Sequence, residues 1–171
     1  MEPTTTSLPL PARSEQVARA LAAAGIPGTV RQLADSTRTA AEAAAEAAAA
    51  LGCEVGAIAN SLVFRSDGRA VLVLASGGHR VDTAALAARW GRGRLRRATP
   101  EQVREATGQA IGGVAPTGHP APLPTVVDRA LTAHPRVWAA AGTPHTVFPT
   151  TAEELLRLTG GVLLPVGPDE D

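Results

Sequence analysis

The chain contains no lysine and no tyrosine, and it has one cysteine among its 171 residues. All 16 positively charged side chains are therefore arginines. A single cysteine cannot form an internal disulfide, and the sequence shows neither a signal peptide nor an apolar run of membrane-spanning length. These absences predict a protein of the reducing cytoplasm that has no membrane partner.

Aromatic side chains are also scarce, with two tryptophans and two phenylalanines. Proteins that bind single strands by base stacking present several aromatic rings, so this kind of RNA recognition is disfavoured. The formal net charge is zero at pH 7, which argues against a broad basic face for duplex DNA. Any contact with nucleic acid is expected to depend on local arginines and on the main chain.

The length suits one domain with a core that needs no metal or disulfide. Apolar alternation on both sides of Asp67 and Gly68 predicts a β-hairpin. Further strands are predicted around residues 93–97, 125–128, 137–141, 146–148 and 162–164, and helix caps at Ser14, Thr39, Asp82, Thr99 and Thr150 or Thr151. Strands and short helices mix without strict alternation, so the predicted fold is α+β, with a curved, mostly antiparallel mixed sheet surrounded by helices.

The two ends of the chain are expected to lie outside the domain. Residues 1–11 are rich in threonine and proline and show no periodicity, which predicts a flexible arm. The domain itself is predicted to span residues 12–166. Residues 167–171 are predicted to form a short flexible tail.

The segment with the most unusual composition is residues 109–120, QAIGGVAPTGHP. It contains a G-x-x-x-P pattern from Gly112 to Pro116. Glycine lets a ligand approach the main chain closely and proline restricts its neighbours, so such a loop can direct several N–H groups at one point. By itself a loop rich in glycine and proline is usually only a turn.

Two other segments accompany this loop, AIANSLVF at residues 57–64 and AAAGTPH at residues 139–145. Together the three segments resemble the YbaK/EbsC family, the free-standing relatives of the editing domain of bacterial prolyl-tRNA synthetases. The resemblance extends over about residues 14–166. It implies the fold of that domain and hydrolysis of the ester of a mischarged aminoacyl-tRNA, typically tRNA for proline carrying a small amino acid. No cofactor is expected, and no metal either, because the sequence has no second cluster of ligands with zinc spacing beside His79 and Asp82.

The resemblance also assigns the candidate site. It implies catalytic roles for Asn60, Gly112 and Gly113, with the loop binding the terminal adenosine and directing amides at the ester. The expected substrate-binding residues are Ile58, Leu62, Val114, Ala115, Pro116, Gly118, His119, Gly142 and His145. Each histidine has a simpler interpretation, as a structural or solvent-facing side chain.

Asn60 marks a departure from the family, most of whose members have a lysine at this position. It is a polar residue in the apolar row Ile58, Leu62 and Phe64, because strand side chains alternate with a period of two. Its amide can hydrogen-bond a substrate but supplies no positive charge. The alternative is an asparagine paired with nearby main chain.

No ordinary nucleophile is apparent. Ser61 is predicted on the strand face opposite Asn60, no G-x-S-x-G motif occurs, and Cys53 is expected to be a small buried residue. Hydrolysis would therefore use a positioned water or the substrate 2′-hydroxyl, with main-chain amides stabilising the developing charge.

Arginines cluster at Arg92, Arg94, Arg96 and Arg97. On a strand over residues 93–97, alternate arginines project from one side and are spaced to meet phosphates, which predicts a tRNA-binding patch. The alternative is a charged edge strand that resists aggregation.

The sequence therefore predicts a cytoplasmic trans-editing deacylase that binds the acceptor end of an aminoacyl-tRNA, with prolyl-tRNA synthetase as a candidate partner. Two other functions stay open. One is a binding module that has lost turnover together with the lysine, and the other is a hydrolase of small esters that needs no tRNA.

Overall fold

Apolar alternation around Asp67 and Gly68 forms the hairpin at the centre of the sheet. The computed structural model describes residues 10–33, 40–78 and 80–168. Strand β2 spans Ile58–Ser66, and it runs antiparallel to β3, which spans Arg69–Ser76. Asp67 and Gly68 both have positive φ, 52° and 77°, which is the geometry of a two-residue turn between twisted strands. The predicted hairpin is confirmed.

The remaining elements follow in chain order. The helices are α1 Ala12–Ala23, α2 Ala40–Leu51, α3 Thr83–Trp90, α4 Pro100–Thr107 and α5 Ala152–Thr159. The other strands are β1 Arg31–Gln32, β4 Arg96–Arg97, β5 Thr125–Asp128, β6 Val137–Ala140, β7 Thr146–Thr150 and β8 Val162–Leu164. Short 3₁₀ segments occupy Val55–Ala57 and Arg129–Ala133.

The strands form one mixed sheet in the order β1-β7-β6-β2-β3-β5-β8, and β4 pairs with β2 outside this path. Over the described residues, four strand pairings are antiparallel and three are parallel. The predicted α+β class with a mixed sheet is confirmed. The parallel pairings β2–β6, β3–β5 and β5–β8 make the sheet less purely antiparallel than the local patterns suggested.

Helices cover both faces of the sheet. On one face, helices α1, α4 and α5 contribute Val17, Val103 and Leu155 to the largest core cluster. On the other face, α3 packs through Leu86 against the strand hairpin, and α2 packs through Ala48 near β6 and β7. We call these the α1 face and the α3 face of the sheet.

Local capping patterns identify most helix starts correctly. Asp82 caps α3 by accepting from the Ala85 amide at 3.0 Å, and Thr99 forms a capping box with Gln102. Thr151, one of the two candidates, caps α5.

Three predictions about local structure need comment. Ser14 does not cap α1, which begins at Ala12 after Pro11; instead the Ser14 hydroxyl is buried 2.9 Å from that of Thr146. The strand predicted over residues 93–97 is limited to Arg96–Arg97. The capping box that was predicted at Thr39 lies outside the described residues. Among the helices described, none has the length and apolar character needed to cross a membrane.

Candidate functional site

The predicted loop lies at the carboxyl end of strand β6. The chain leaves β6 and turns through Gly142, whose φ is 103°, toward His145 and strand β7. Gly113 packs directly on this turn, because a β-carbon placed there would overlap the main chain of Thr143 and lie 2.5 Å from the Pro144 nitrogen. Two of the three sequence segments that carry the resemblance therefore meet here.

Gln109 fixes the shape of the loop from within. Its side chain is buried, and its Oε1 accepts from the Ala115 amide at 2.7 Å while its Nε2 donates to the Thr117 carbonyl at 3.2 Å. The Gly113 amide donates to the Ala110 carbonyl at 3.2 Å. Two loop amides are thus engaged inside the loop.

The amides of Gly112 and Val114 differ from these two. Neither has a hydrogen-bond acceptor among the described residues. Main-chain donors held in place by a rigid loop can stabilise an oxyanion without reorganisation. The Gly112 and Val114 amides are therefore the loop's candidate donors to a ligand, and they alternate with two amides that maintain its shape.

Next to this turn, one edge of strand β2 is incompletely paired. Both β6 and β4 pair with this edge, but residues 60–63 lie outside the two ladders. The Val63 carbonyl accepts from the Ala98 amide on this edge at 3.3 Å, so the main chain of Ser61, two residues earlier, also points to this side. The sheet thus has a gap in its pairing close to where β6 ends.

Ser61 lies on the face of the sheet against which the loop packs. Its neighbours on the same strand face, Ala59 and Val63, belong to the same core cluster as Val114 and Ala115. The Ser61 hydroxyl is shielded from solvent and has no hydrogen-bond partner among the described residues. An unpartnered buried hydroxyl costs about 1–3 kcal/mol, so a hydrogen bond from a bound ligand to this group would be favourable.

Asn60 lies on the α3 face, opposite the face that carries the loop. It shares this face with Phe64, which packs in the α3 cluster, and with half-buried Leu62 beside it. Ile58, on the same face, is buried against α2. The Asn60 carboxamide is half-buried and makes no hydrogen bond with the described part of the chain. It flanks the gap from the side opposite Ser61.

His119 lies beyond the loop and turns back toward it. Its Nε2 is 2.8 Å from the Ala115 carbonyl oxygen, and since a carbonyl only accepts, Nε2 carries the proton and Nδ1 is the basic nitrogen. Burial lowers the pKa of His119, and the bond to the Ala115 carbonyl opposes this only in part. The imidazole is therefore neutral near pH 7.

A small hollow of about 160 Å³ adjoins the end of the loop. It is lined by Pro116, Thr117, His119, Leu123 and Leu158, among others. Gly118 lies outside this lining and packs 3.3 Å, measured from an ideal β-carbon, from the Val17 side chain of α1. Pockets for larger ligands are about 300–1,000 Å³, so this hollow suits a small group.

His145 is held in the turn after β6. Its main-chain carbonyl accepts from the Leu33 amide at 2.6 Å, and its amide donates to the Thr143 hydroxyl at 3.3 Å. The Thr143 hydroxyl is in turn 2.8 Å from that of Thr146. These bonds place His145 on the turn against which Gly113 packs.

The four predicted arginines do not form one group. Arg92 stacks over the Trp90 ring, with its guanidinium carbon 4.4 Å from the ring centre. Arg94, Arg96 and Arg97 instead line a hollow of about 350 Å³ together with Arg65. This hollow lies at the turn end of the central hairpin, away from the loop.

The sequence does not point to three residues that the structure places at these sites. The sequence pattern marks Gln109 only as part of the loop, places Ser61 on the face opposite Asn60, and does not group Arg65 with the other arginines. A signal for Arg65 was present, since its position beside the Asp67-Gly68 turn places it at the end of the hairpin. The roles of Ser61 and Gln109 depend on which face the loop covers, which no local pattern gives.

Other kinds of chemistry receive little support. Burial, aided by the nearby Glu54 carboxylate, raises the pKa of Cys53, which makes the thiol a poorer nucleophile at neutral pH. Within residues 10–33, 40–78 and 80–168, no group of three or more His, Cys, Asp or Glu side chains could hold a metal ion.

Known proteins resemble this chain in both sequence and fold. The family model described as the aminoacyl-tRNA editing domain matches residues 38–158. A protein of Bacillus subtilis (strain 168), the uncharacterized protein YwhH, is 32% identical over 111 residues, which are 64% of this chain and 70% of that protein.

Solved structures extend the comparison to nearly the whole chain. A candidate trans-editing enzyme for prolyl tRNA synthetase is 46% identical, with a TM-score of 0.86 over 94% of this chain and 99% of that one. The hypothetical protein APE2540 is 29% identical, with a TM-score of 0.77 over 88% of this chain and 98% of that one.

Proposed function

Because the chain belongs to the aminoacyl-tRNA editing domain family, we propose that it is a trans-editing hydrolase of mischarged aminoacyl-tRNA. Its proposed substrate is tRNA for proline that carries a small non-cognate amino acid. The similar structure of a candidate trans-editing enzyme for prolyl tRNA synthetase supports this choice. The observation that carries the proposal is the loop at the end of β6, where the Gly112 and Val114 amides have no hydrogen-bond acceptor among the described residues.

The reaction needs no nucleophilic side chain. A water molecule attacks the carbonyl carbon of the aminoacyl ester, and the carbonyl oxygen becomes an oxyanion in the tetrahedral intermediate. The amides of Gly112 and Val114 donate to this oxyanion. The intermediate then collapses with cleavage of the bond to the ribose oxygen, which takes up the proton that the attacking water gives up, and the amino acid is released.

The substrate's own 2′-hydroxyl is suited to orient the attacking water. Two groups at the gap in the sheet complete the proposed contacts. The Asn60 carboxamide hydrogen-bonds the terminal ribose or the ester from the α3 face, in place of the family lysine. The Ser61 hydroxyl, buried on the α1 face, accepts from or donates to the same end of the substrate. An asparagine supplies no charge, so catalysis depends more heavily on the main-chain donors than it would with a lysine.

The small size of the hollow beside the loop supports a preference for small amino acids. Its volume of about 160 Å³ admits a small side chain, with Pro116 and neutral His119 on its wall. Selection by size in an apolar site amounts to about 1–3 kcal/mol per methylene, so discrimination between neighbouring amino acids is expected to be graded. Prolyl-tRNA synthetase is the predicted partner that supplies the mischarged tRNA.

Single-turnover deacylation across a panel of mischarged tRNAs tests this proposal. We expect release of a small amino acid from tRNA for proline well above the spontaneous rate, and a slower rate for Asn60→Ala. Asn60→Lys is the second variant to measure, because it introduces the usual family residue. We expect it to retain or raise the deacylation rate.

Two outcomes would replace the proposal with another function. A wild-type rate equal to the spontaneous rate, together with measurable tRNA binding, would identify a binding module. Equal rates on charged tRNA and on a small amino-acid ester would identify an esterase for which the tRNA is irrelevant.

A further inference from the structure

The turn end of the central hairpin carries a concentration of positive charge. A hollow of about 350 Å³ there is lined by Arg65, Arg94, Arg96 and Arg97, with Asp67, Gly68 and Gln102 completing the wall. We call the four arginines the arginine basin. None of them forms an ion pair with a described residue. The lining thus carries four positive charges and the single negative charge of Asp67.

Two of these arginines are held directly opposite each other. Arg65 of β2 and Arg96 of β4 are register partners in an antiparallel ladder, which places their β-carbons about 4.5–5.5 Å apart on one face. Like charges in this position are destabilising. The Arg65 guanidinium is also fixed in place, since its Nη2 donates to the Gly68 carbonyl at 2.7 Å.

The one acidic group in the wall is already engaged. The Asp67 carboxylate accepts from the Gly93 amide at 3.2 Å. A β-carbon at position 93 would overlap this carboxylate, so glycine lets the two groups approach without moving the Asp67 side chain. The one acid of the lining thus accepts from a main-chain donor, and the arginines retain an excess of positive charge that suits an outside anion.

We infer that the arginine basin binds a backbone phosphate of the tRNA, several nucleotides from the aminoacylated end. This inference rests on the proposed function and adds a second, separate contact to it. Guanidinium groups bind phosphate oxygens with paired hydrogen bonds and are favoured for this purpose over ammonium groups. The proposed phosphate site therefore includes Arg65 and leaves out Arg92, which stacks on Trp90.

The position of the basin explains why a distant phosphate is its ligand. Arg65 follows Ser61 by four residues on the same face of β2, which is about 13 Å along the strand. Helix α4 connects the arginine basin to the loop. Gln102 in its first turn lines the basin, and the loop follows its last turn. A span of about 13 Å corresponds to about four stacked nucleotides at 3.4 Å each.

The test measures binding of uncharged tRNA as a function of salt, so that it does not depend on hydrolysis. Arg96→Gln and Arg94→Gln are the variants, and Arg104→Gln, an exposed arginine of α4 outside the basin, is the control with the same loss of charge. We expect each basin variant to lower affinity several-fold at low salt and to reduce the slope of log affinity against log salt by about 0.7–0.9. The control is expected to keep the wild-type slope.

Thermal unfolding adds a measurement that separates binding from folding. Arg96→Gln is expected to raise the Tm in phosphate-free, low-salt buffer, because it removes the charge opposite Arg65. Inorganic phosphate is expected to raise the Tm of the wild type more than that of the variant. A lower Tm for the variant in phosphate-free buffer would mean that Arg96 has a structural role, and would overturn the inference.

The remaining outcomes are equally decisive. Wild-type slopes for both basin variants, or an equal loss in Arg104→Gln, would refute a specific phosphate contact. Stabilisation by inorganic phosphate with unchanged tRNA binding would assign the basin to a small phosphorylated ligand and overturn the RNA assignment. If the wild type fails to deacylate but the basin variants lose tRNA affinity, the proposed function fails and the basin stands.

Discussion

Replacing Gly113 by alanine gives a sharp test of the loop's role. An ideal β-carbon at this position would lie 2.5 Å from the Pro144 nitrogen and 2.6 Å from the Thr143 α-carbon. Van der Waals contact between heavy atoms lies near 3.5 Å. The loop and the turn after β6 would therefore have to separate by about 1 Å.

The cost of this separation divides into two parts. Overpacking of this kind destabilises a protein by roughly 1–3 kcal/mol, which in a domain of this size lowers the Tm by about 2–12 °C. A displacement of about 1 Å in a site that positions reacting groups lowers the rate by about 100-fold. Gly113→Ala should thus remain folded at 25 °C while losing most of its deacylase activity.

A matched control separates misplacement of the loop from loss of stability. Gly91 ends helix α3 with φ 70°, and no atom lies within 4 Å of a β-carbon placed there. Gly91→Ala costs about 1–2 kcal/mol of conformational strain without touching the site. The assay is single-turnover deacylation at 25 °C beside thermal unfolding of both variants. A Gly113→Ala rate equal to that of Gly91→Ala at similar Tm would refute the reasoning.

Three further changes address the groups around the loop. Ser61→Ala should leave the Tm unchanged or higher and lower the deacylation rate, whereas Ser76→Ala, which removes a 2.7 Å bond to a main-chain carbonyl, should lower the Tm and spare the rate. Burial lowers the pKa of His119, so the unfolded chain binds the proton more readily and the free energy of unfolding falls as pH drops below about 6.5. Urea unfolding of His119→Gln should show a smaller fall in this free energy over the same pH range. An identical pH profile in the variant and the wild type would contradict this. Gln109→Ala should speed hydrogen exchange at the Ala115 amide. Gln109→Glu keeps the acceptor, so exchange at this amide should be slower in Gln109→Glu than in Gln109→Ala. Equal exchange rates in the two variants would show that the side chain does not hold the loop.

The parts of the fold that follow from neighbouring residues could be predicted from the sequence. Asp67 and Gly68 define a turn by their conformational preferences, and Thr99 with Gln102 satisfies the first amides of α4 by itself. The start of α1 shows the limit of such patterns. Ser14 has the composition of a cap, but Pro11 allows the helix to begin at Ala12, and the serine hydroxyl bonds to Thr146 instead.

The parallel pairings and the composition of the site depend on contacts between distant segments. Strand β2 meets β6 about 80 residues later in the chain, and local alternation does not specify such a partner. The same is true of the face to which the loop packs, which puts Ser61 rather than Asn60 on the loop's side of the sheet. Arg92 is a local example of a contact that the strand pattern does not predict. Its guanidinium stacks on Trp90, two residues earlier, and so lies apart from the other arginines.

The central claim is that the Gly112 and Val114 amides donate hydrogen bonds to the carbonyl oxygen of the substrate ester. Amide proton resonances, recorded with and without an inert amide-linked analogue of the aminoacylated acceptor end, test it directly. We expect the Gly112 and Val114 resonances to move as they form new hydrogen bonds, and those of Gly113 and Ala115 to move little. Binding of the analogue without any change at Gly112 and Val114 would contradict the account.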